Sequence, residues 1–218
     1  MTNTLPDSVE TRAAMIDTCK WMNTHGLNQG TSGNISVRTD QGVLITPSGV
    51  PYEDLTPDMI VTIPLEGAPD DGLPLKPSTE WPFHQKLQQT RPDMAVALHA
   101  HPAYCSALAV QRRPIPACHY MVAAFGGSDV PLVDYSIFGG AKLADDLSQA
   151  LKDRHGALMA NHGATVLGET LMRARWRLEE LENLARTYLL SHVGGSPHIL
   201  TEAEMADVFH AFANYGPK

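Results

Sequence analysis

Twice in this chain two short apolar runs flank a tight turn, and that pattern narrows the fold more than any other. "NISVR" (34–38) and "VLITP" (43–47) stand either side of "TDQG", a glycine-containing turn of hairpin length. "ALMANHGATVLG" (157–168) is two apolar runs meeting at "NHG", a hairpin or a strand–turn–strand with His162 at the bend. A third β-branched run, "MIVTIP" (59–64), precedes a Pro/Gly/Asp-rich loop at 66–77. Between these runs lie helical patterns. Residues 8–25 space Val9, Ala13, Ile16, Cys19 and Met22 as one apolar face and stop at Gly26, a good helix terminator. "PSTEWPFHQKLQQTRP" (77–92) opens on hydroxyl residues suited to an N-cap, tolerates Pro82 in its first turn and closes before Pro92, with Glu80 at its start. Further helices are predicted at 103–111, 139–153 and 169–191, and "TEAE" (201–204) has the form of a capping box before a last helix ending near Gly216. "HYMVAAFGG" leads to a turn at Gly126 and Gly127. Helices alternating with short strands and hairpins predict an α/β fold in which helices pack on a mixed, mostly antiparallel sheet.

The bulk properties bound the function. With 218 residues, 43% hydrophobic and 18% charged, the chain has material for one sizeable core, so a single domain over 1–218 is expected. A net charge of −8 argues against a nucleic-acid partner, which calls for a basic face. The N-terminal stretch lacks a basic start with an apolar segment, and no apolar run approaches the roughly 18 residues of a membrane span. Three cysteines without CxxC spacing do not suggest a disulfide framework, so a reducing, cytoplasmic setting is expected.

The chemistry is concentrated in "MAVALHAHPAYC" (94–105), a run of small apolar residues suited to a buried strand that nevertheless carries His99 and His101. Side chains at i and i+2 of a strand share a face, so both imidazoles can reach one ion. A hydrogen-bonded core histidine is the bland alternative for each alone. A zinc site wants about four nitrogen, sulfur or carboxylate ligands. Among the other histidines, His162 stands out because glycine and alanine follow it at a bend, leaving room for an ion. Glu80 is the best-placed carboxylate, although taken alone it reads rather as a first-turn glutamate favoured by the helix dipole. A cupin would need a glutamate shortly after the second histidine and an almost all-strand chain, and an amidohydrolase-type barrel needs about 250 residues.

A second cluster is suited to an anion. "GLNQGTSGN" (26–34) places three glycines with Thr31, Ser32 and Asn34 between a helix and a strand, and "TPSG" (46–49) and "PST" (77–79) repeat that chemistry at neighbouring element ends. Each alone is an ordinary turn; together they could share one phosphate. Neither a P-loop nor a dinucleotide fingerprint is present.

In this order "GLNQGTSGNISVR", "LITPSGVPYEDL", "PSTEWPFH", "HAHPAYC", "IPACHYMVAAFGG" and "NHGATVLG" resemble the class II aldolase/adducin family over about residues 8–216. The resemblance implies a three-layer α/β/α fold, a C4 homotetramer and one Zn²⁺ per subunit at the subunit interface. Matched motif by motif, it implies Glu80, His99, His101 and His162 as metal ligands. Gly33 and Asn34, Ser48 and Gly49, and Ser78 and Thr79 would hold a phosphate. Glu80 would double as a proton shuttle, Tyr120 would act in the adjacent subunit's site, and Tyr215 would be a closing tail residue. The implied reaction is cleavage of a ketose 1-phosphate to dihydroxyacetone phosphate and a small aldehyde such as L-lactaldehyde. A pentulose-phosphate 4-epimerase, a methylthioribulose-1-phosphate dehydratase and a sugar-acid phosphate decarboxylase remain open within the family, as does a non-catalytic adducin-like module. "HAHP" is compatible with several sugar-phosphate specificities, so the motifs do not choose the aldehyde.

Overall fold

The computed structural model describes residues 2–213. Ser8 caps α1 (Val9–Thr24) through its hydroxyl, and Gly26 follows the helix at φ 68, the left-handed conformation in which glycine carries no Cβ penalty. The chain then forms the β1 (Asn34–Arg38) and β2 (Val43–Ile45) hairpin, β3 (Val61–Ile63), α2 (Trp81–Thr90), β4 (Val96–Ala100) and α3 (Ala103–Val110). Two-residue strands follow: β5 (Ile115–Pro116), β6 (Asp129–Val130) and β7 (Leu132–Val133). The remainder is α4 (Ala141–Ala150), the β8 (Gly156–Met159) and β9 (Gly163–Gly168) hairpin, α5 (Leu171–Ser191) and α6 (Glu202–Ala213). The expected capping box forms: Thr201 N–H donates to Glu204 Oε2 at 2.7 Å and Glu204 N–H to Thr201 Oγ1 at 3.3 Å.

Seven strands make one sheet in the order β3-β2-β1-β4-β9-β8-β7, antiparallel throughout except that β7 runs parallel to β8; β5 and β6 pair separately. Strands β1, β4, β8 and β9 are buried along their whole length, which only cover on both faces can achieve. The two-residue side-chain period divides the core accordingly. Val96, Leu98 and Ala100 join Met15, Cys105, Leu108, Leu178 and Leu181 on the face covered by α1, α3 and α5. Ala97, Ala157, Met159 and Leu167 join Phe83, Leu87, Leu143 and Leu147 on the face covered by α2 and α4. The expected three-layer α/β/α arrangement with a mostly antiparallel sheet is what forms.

Several details differ from the sequence reading. The segment before β3 is a 3-10 turn at Pro57–Met59, and "YMVAAF" is a 3-10 helix at Tyr120–Phe125 ended by Gly126 at φ 85. The N-cap position of α2 is Glu80 rather than one of the hydroxyl residues, and its side chain makes no capping bond. Ser78 instead accepts the Glu80 N–H at 3.3 Å, which frees the Glu80 carboxylate to turn elsewhere. Tyr215, the expected closing residue, lies outside the described residues. None of the helices described is long and apolar enough to cross a membrane.

Candidate metal centre and anion cavity

β4 supplies the first ligand candidates. Because Val96, Leu98 and Ala100 face α1, α3 and α5, His99 turns to the opposite face, where the Phe83 ring of α2 meets it edge-on at 5.6 Å. His101 sits one residue past the strand end on the same side. β9 is the next strand over and registers Thr165 beside His99 and Ala164 beside Ala100. This register brings the β8–β9 turn, and His162 with it, against the end of β4. The turn closes through Asn161 at φ 55, a left-handed conformation that asparagine tolerates better than most residues. Gly163 is essential to the approach: a Cβ there would lie 2.5 Å from Ala100 O and 2.5 Å from His101 Cδ2.

The three rings form a triangle with centroids 4.8, 4.9 and 5.0 Å apart, each pair edge-on, and one nitrogen from each lies within 4.8 Å of the others. His99 Nδ1 lies 2.9 Å from Ala164 O, a carbonyl that can only accept, so the proton sits on Nδ1 and Nε2 presents a lone pair. That Nε2 is 3.0 Å from His101 Nε2 and 3.3 Å from Glu80 Oε2. Glu80 Oε1 is buried without a hydrogen-bond partner, 3.4 Å from His162 Nε2. Burial holds all three rings below the usual histidine range, His162 down to about 4, so they are neutral at pH 7 as ligands must be. Burial also pushes the Glu80 carboxyl up to about 7, against the opposing hydrogen bond from Asn34.

The fit to a divalent cation rests on this donor set. His99 turns its Nε2 lone pair toward His101 Nε2 at hydrogen-bond distance, and a carboxylate oxygen beside them lacks any donor; a cation taking the place of the proton between the rings satisfies all at once. The hydrogen bond from His99 Nδ1–H to a backbone carbonyl is the outer-sphere contact that orients a metal-binding imidazole.

Glu80, His101 and His162 open into a cavity of about 430 Å³. Its other walls are Thr31 to Asn34, Pro47 to Gly49, Ser78 and Thr79, with Phe138 at the side. All three hydroxyl- and glycine-bearing loops therefore border one space. The backbone explains this: Pro47 and Pro77 form an isolated bridge, with Ser48 N–H donating to Lys76 O at 3.0 Å and Ser78 N–H to Thr46 O at 2.9 Å. Ser48 and Thr79 are exposed to the cavity, whereas Ser78 is buried. Asn34 borders the cavity too, but its carboxamide is engaged: Nδ2 donates to Glu80 Oε2 at 2.9 Å and Oδ1 faces His84.

Tyr120 stands apart. It is half-exposed, its ring tilted against that of His119 with centroids 4.7 Å apart, and is not among the residues lining the cavity of its own chain. Phe138 and His84 are two residues beside the site that the motifs did not single out. His84 had a readable signal, since "NISVR" places polar Asn34, Ser36 and Arg38 at period two within a wholly buried strand, and such a stripe needs partners from the facing helix.

Comparison with known proteins agrees with this geometry. The Class II Aldolase and Adducin N-terminal domain matches residues 13–189. The L-fuculose phosphate aldolase of Escherichia coli O6:H1 is 43% identical over 203 residues, 93% of this chain and 94% of the relative. The 5-methylthioribulose-1-phosphate/5-deoxyribulose-1-phosphate aldolase of Rhodospirillum rubrum is 42% identical over 205 residues, covering 94% and 92%. Among solved structures, an L-fuculose 1-phosphate aldolase superposes with a TM-score of 0.89 at 34% identity, over 94% of this chain and 97% of that one. The chain belongs to the class II aldolase and adducin family, on the side of its aldehyde lyases.

Proposed function

We propose that this chain is a Zn²⁺-dependent aldolase that cleaves the C3–C4 bond of L-fuculose 1-phosphate, giving dihydroxyacetone phosphate and L-lactaldehyde. One observation carries the reading: three neutral imidazoles cluster with an unpartnered Glu80 oxygen, and Glu80, His101 and His162 of that cluster border the same cavity as three anion-suited loops. In this reading Glu80, His99, His101 and His162 hold the cation, since imidazole nitrogen and carboxylate oxygen are donors that zinc takes. Bound there, the cation supplies Lewis-acid stabilisation for the negative charge that cleavage leaves on the phosphate-bearing fragment.

The remaining work falls to side chains. Gly33 and Gly49 let backbone come close to the phosphate, and the Ser48, Ser78 and Thr79 hydroxyls complete its cradle, while Asn34, expected there too, borders the cavity with its carboxamide committed to Glu80 and His84. Holding the phosphate fixes C3 and C4 with respect to Glu80. Glu80, tethered through Oε2 to Asn34 with Oε1 free of any protein donor, returns a proton to C3 as the electron pair of the broken bond settles on that fragment. The C4 hydroxyl loses its proton as the aldehyde forms, and Tyr120 of a neighbouring copy takes it. Half-exposed Tyr120 suits such a role, and exposed Tyr135, Ile137 and Phe138 near the cavity suit burial against another copy in a homotetramer.

A second reading keeps the bond and changes the aldehyde, because relatives equally similar to this chain carry the name 5-methylthioribulose-1-phosphate/5-deoxyribulose-1-phosphate aldolase. The test is release of dihydroxyacetone phosphate from L-fuculose 1-phosphate, 5-deoxyribulose 1-phosphate and 5-methylthioribulose 1-phosphate, followed through a coupled reductase. The highest kcat/KM is expected with L-fuculose 1-phosphate. A higher value with either pentulose derivative transfers the assignment to the second reading, and no product from any of them with folded, metal-loaded protein contradicts both.

A further inference from the structure

Behind Glu80, on the face covered by α2, a file of polar side chains runs away from the cavity. Asn34 Oδ1 lies 2.5 Å from His84 Nε2, His84 Nδ1 lies 2.8 Å from Ser36 Oγ, and Gln88 Nε2 donates to Ser36 Oγ at 3.1 Å. Gln88 Oε1 in turn accepts from Arg38 Nη2 at 3.3 Å, and the same guanidinium nitrogen donates to the Gln88 and Arg91 carbonyls. Arg38, Asn34, Ser36, His84 and Gln88 are each 5% exposed or less, so water cannot substitute for a missing partner.

The chemistry of the end groups fixes the direction of every proton. A guanidinium only donates, so Gln88 presents its oxygen to Arg38 and its NH₂ to Ser36. Ser36 accepts from Gln88, and the other end fixes its proton: a carboxylate only accepts, so Asn34 gives its NH₂ to Glu80 and its oxygen to His84 Nε2, leaving His84 Nδ1 to accept from the Ser36 hydroxyl. The imidazole must then carry its proton on Nε2 and donate it to Asn34 Oδ1, and the file ends on the carboxylate. With the carboxamide rotated by half a turn, Asn34 Oδ1 would meet a carboxylate oxygen with no proton between them.

We propose that His84 is a positioning residue for the reaction: held as its Nε2–H tautomer by Ser36, it locks the Asn34 carboxamide so that one Glu80 oxygen is tethered and the other stays free beside His162. The proposal rests on the aldolase reading above. It separates the two oxygens of Glu80 by task. Oε2 sets where the carboxylate sits, and Oε1 keeps the freedom that a ligand and proton carrier needs.

Three variants test it: Ser36→Ala removes the hydroxyl that selects the tautomer, His84→Met removes the ring donor, and His84→Gln retains a donor. In the metal-free wild type, ¹⁵N spectra of the histidine rings should show His84 protonated on Nε2; an Nδ1–H ring overturns the proposal. By chelator competition with Zn²⁺ alone, His84→Met and Ser36→Ala should weaken metal binding about 10- to 100-fold, the range for loss of an outer-sphere partner, with His84→Gln restoring part of it. At saturating metal, kcat should fall about tenfold or more with KM within about twofold, a split that a merely structural defect would not produce. Unchanged metal affinity and kcat in folded Ser36→Ala overturn the proposal even where His84→Met fails to fold. A wild type that cleaves no ketose 1-phosphate sinks the aldolase reading, while the tautomer and the metal titration still decide the role of His84.

Discussion

Gly163→Ala isolates the contact on which the three-histidine cluster depends. The added methyl would lie 2.5 Å from a carbonyl oxygen of β4 and 2.5 Å from the His101 ring, both inside van der Waals contact. The carbonyl belongs to Ala100 at the end of a wholly buried strand and cannot retreat alone, so either β9 moves off β4 or the His101 ring rotates away. Overpacking of this kind costs about 1–3 kcal/mol. If the strain is relieved at the ring, the same free energy appears as about a 5- to 150-fold loss of metal affinity. Chelator competition and thermal unfolding of the metal-free protein together read out both routes. Gly194→Ala is the control, because a Cβ there has nothing within 4 Å. Wild-type metal affinity combined with an unchanged Tm in Gly163→Ala would refute the reasoning.

Acid should destabilise the metal-free protein. Burial holds His84 at about 3 and His162 at about 4, while the unfolded chain binds protons near 6.5, so this stability is complete above about pH 6.5 and is lost as pH falls toward the folded values, by about 1.4 kcal/mol per pH unit for each ring, with the Glu80 carboxyl, raised to about 7, offsetting one ring's share between about pH 7 and 4.5. A metal-free Tm that stays flat from pH 7.5 to 4.5 would contradict this. Tyr120→Phe should retain bound metal and lower kcat about 100-fold or more, the range for loss of a general acid–base group, and wild-type turnover would withdraw the role of Tyr120. Ser48→Ala and Thr79→Ala should each raise KM about tenfold with little change in kcat, as expected from losing one hydrogen bond to a charged group; an unchanged KM in both would remove the loops from phosphate binding.

The parts of this fold that were legible in the sequence are those set by local chemistry. "TDQG" and "NHG" specify their turns through glycine and through an asparagine that accepts φ 55, and the two-residue strand period places His99 and His101 on one face whatever the strand pairs with. What adjoins them was not legible. The placement of His162 beside His99 depends on β9 pairing with β4 in a register that puts Thr165 opposite His99, a contact across 66 residues of chain. β5, β6 and β7 are two residues each, too short for any periodicity to show. Glu80 was the best-placed carboxylate, yet its local context alone favoured a first-turn glutamate, because the sequence could not reveal that Ser78 takes its N–H and Asn34 binds its carboxylate. His84 went unread because its meaning comes only from the stripe of Asn34, Ser36 and Arg38 on the strand it faces.

The most direct measurement is anomalous diffraction at the zinc edge from crystals of the zinc-loaded protein. The account predicts one peak per chain, about 2.0–2.2 Å from a nitrogen of each of His99, His101 and His162 and from a Glu80 oxygen. A peak held by other residues, or none at this cluster in protein that binds zinc stoichiometrically, would contradict it.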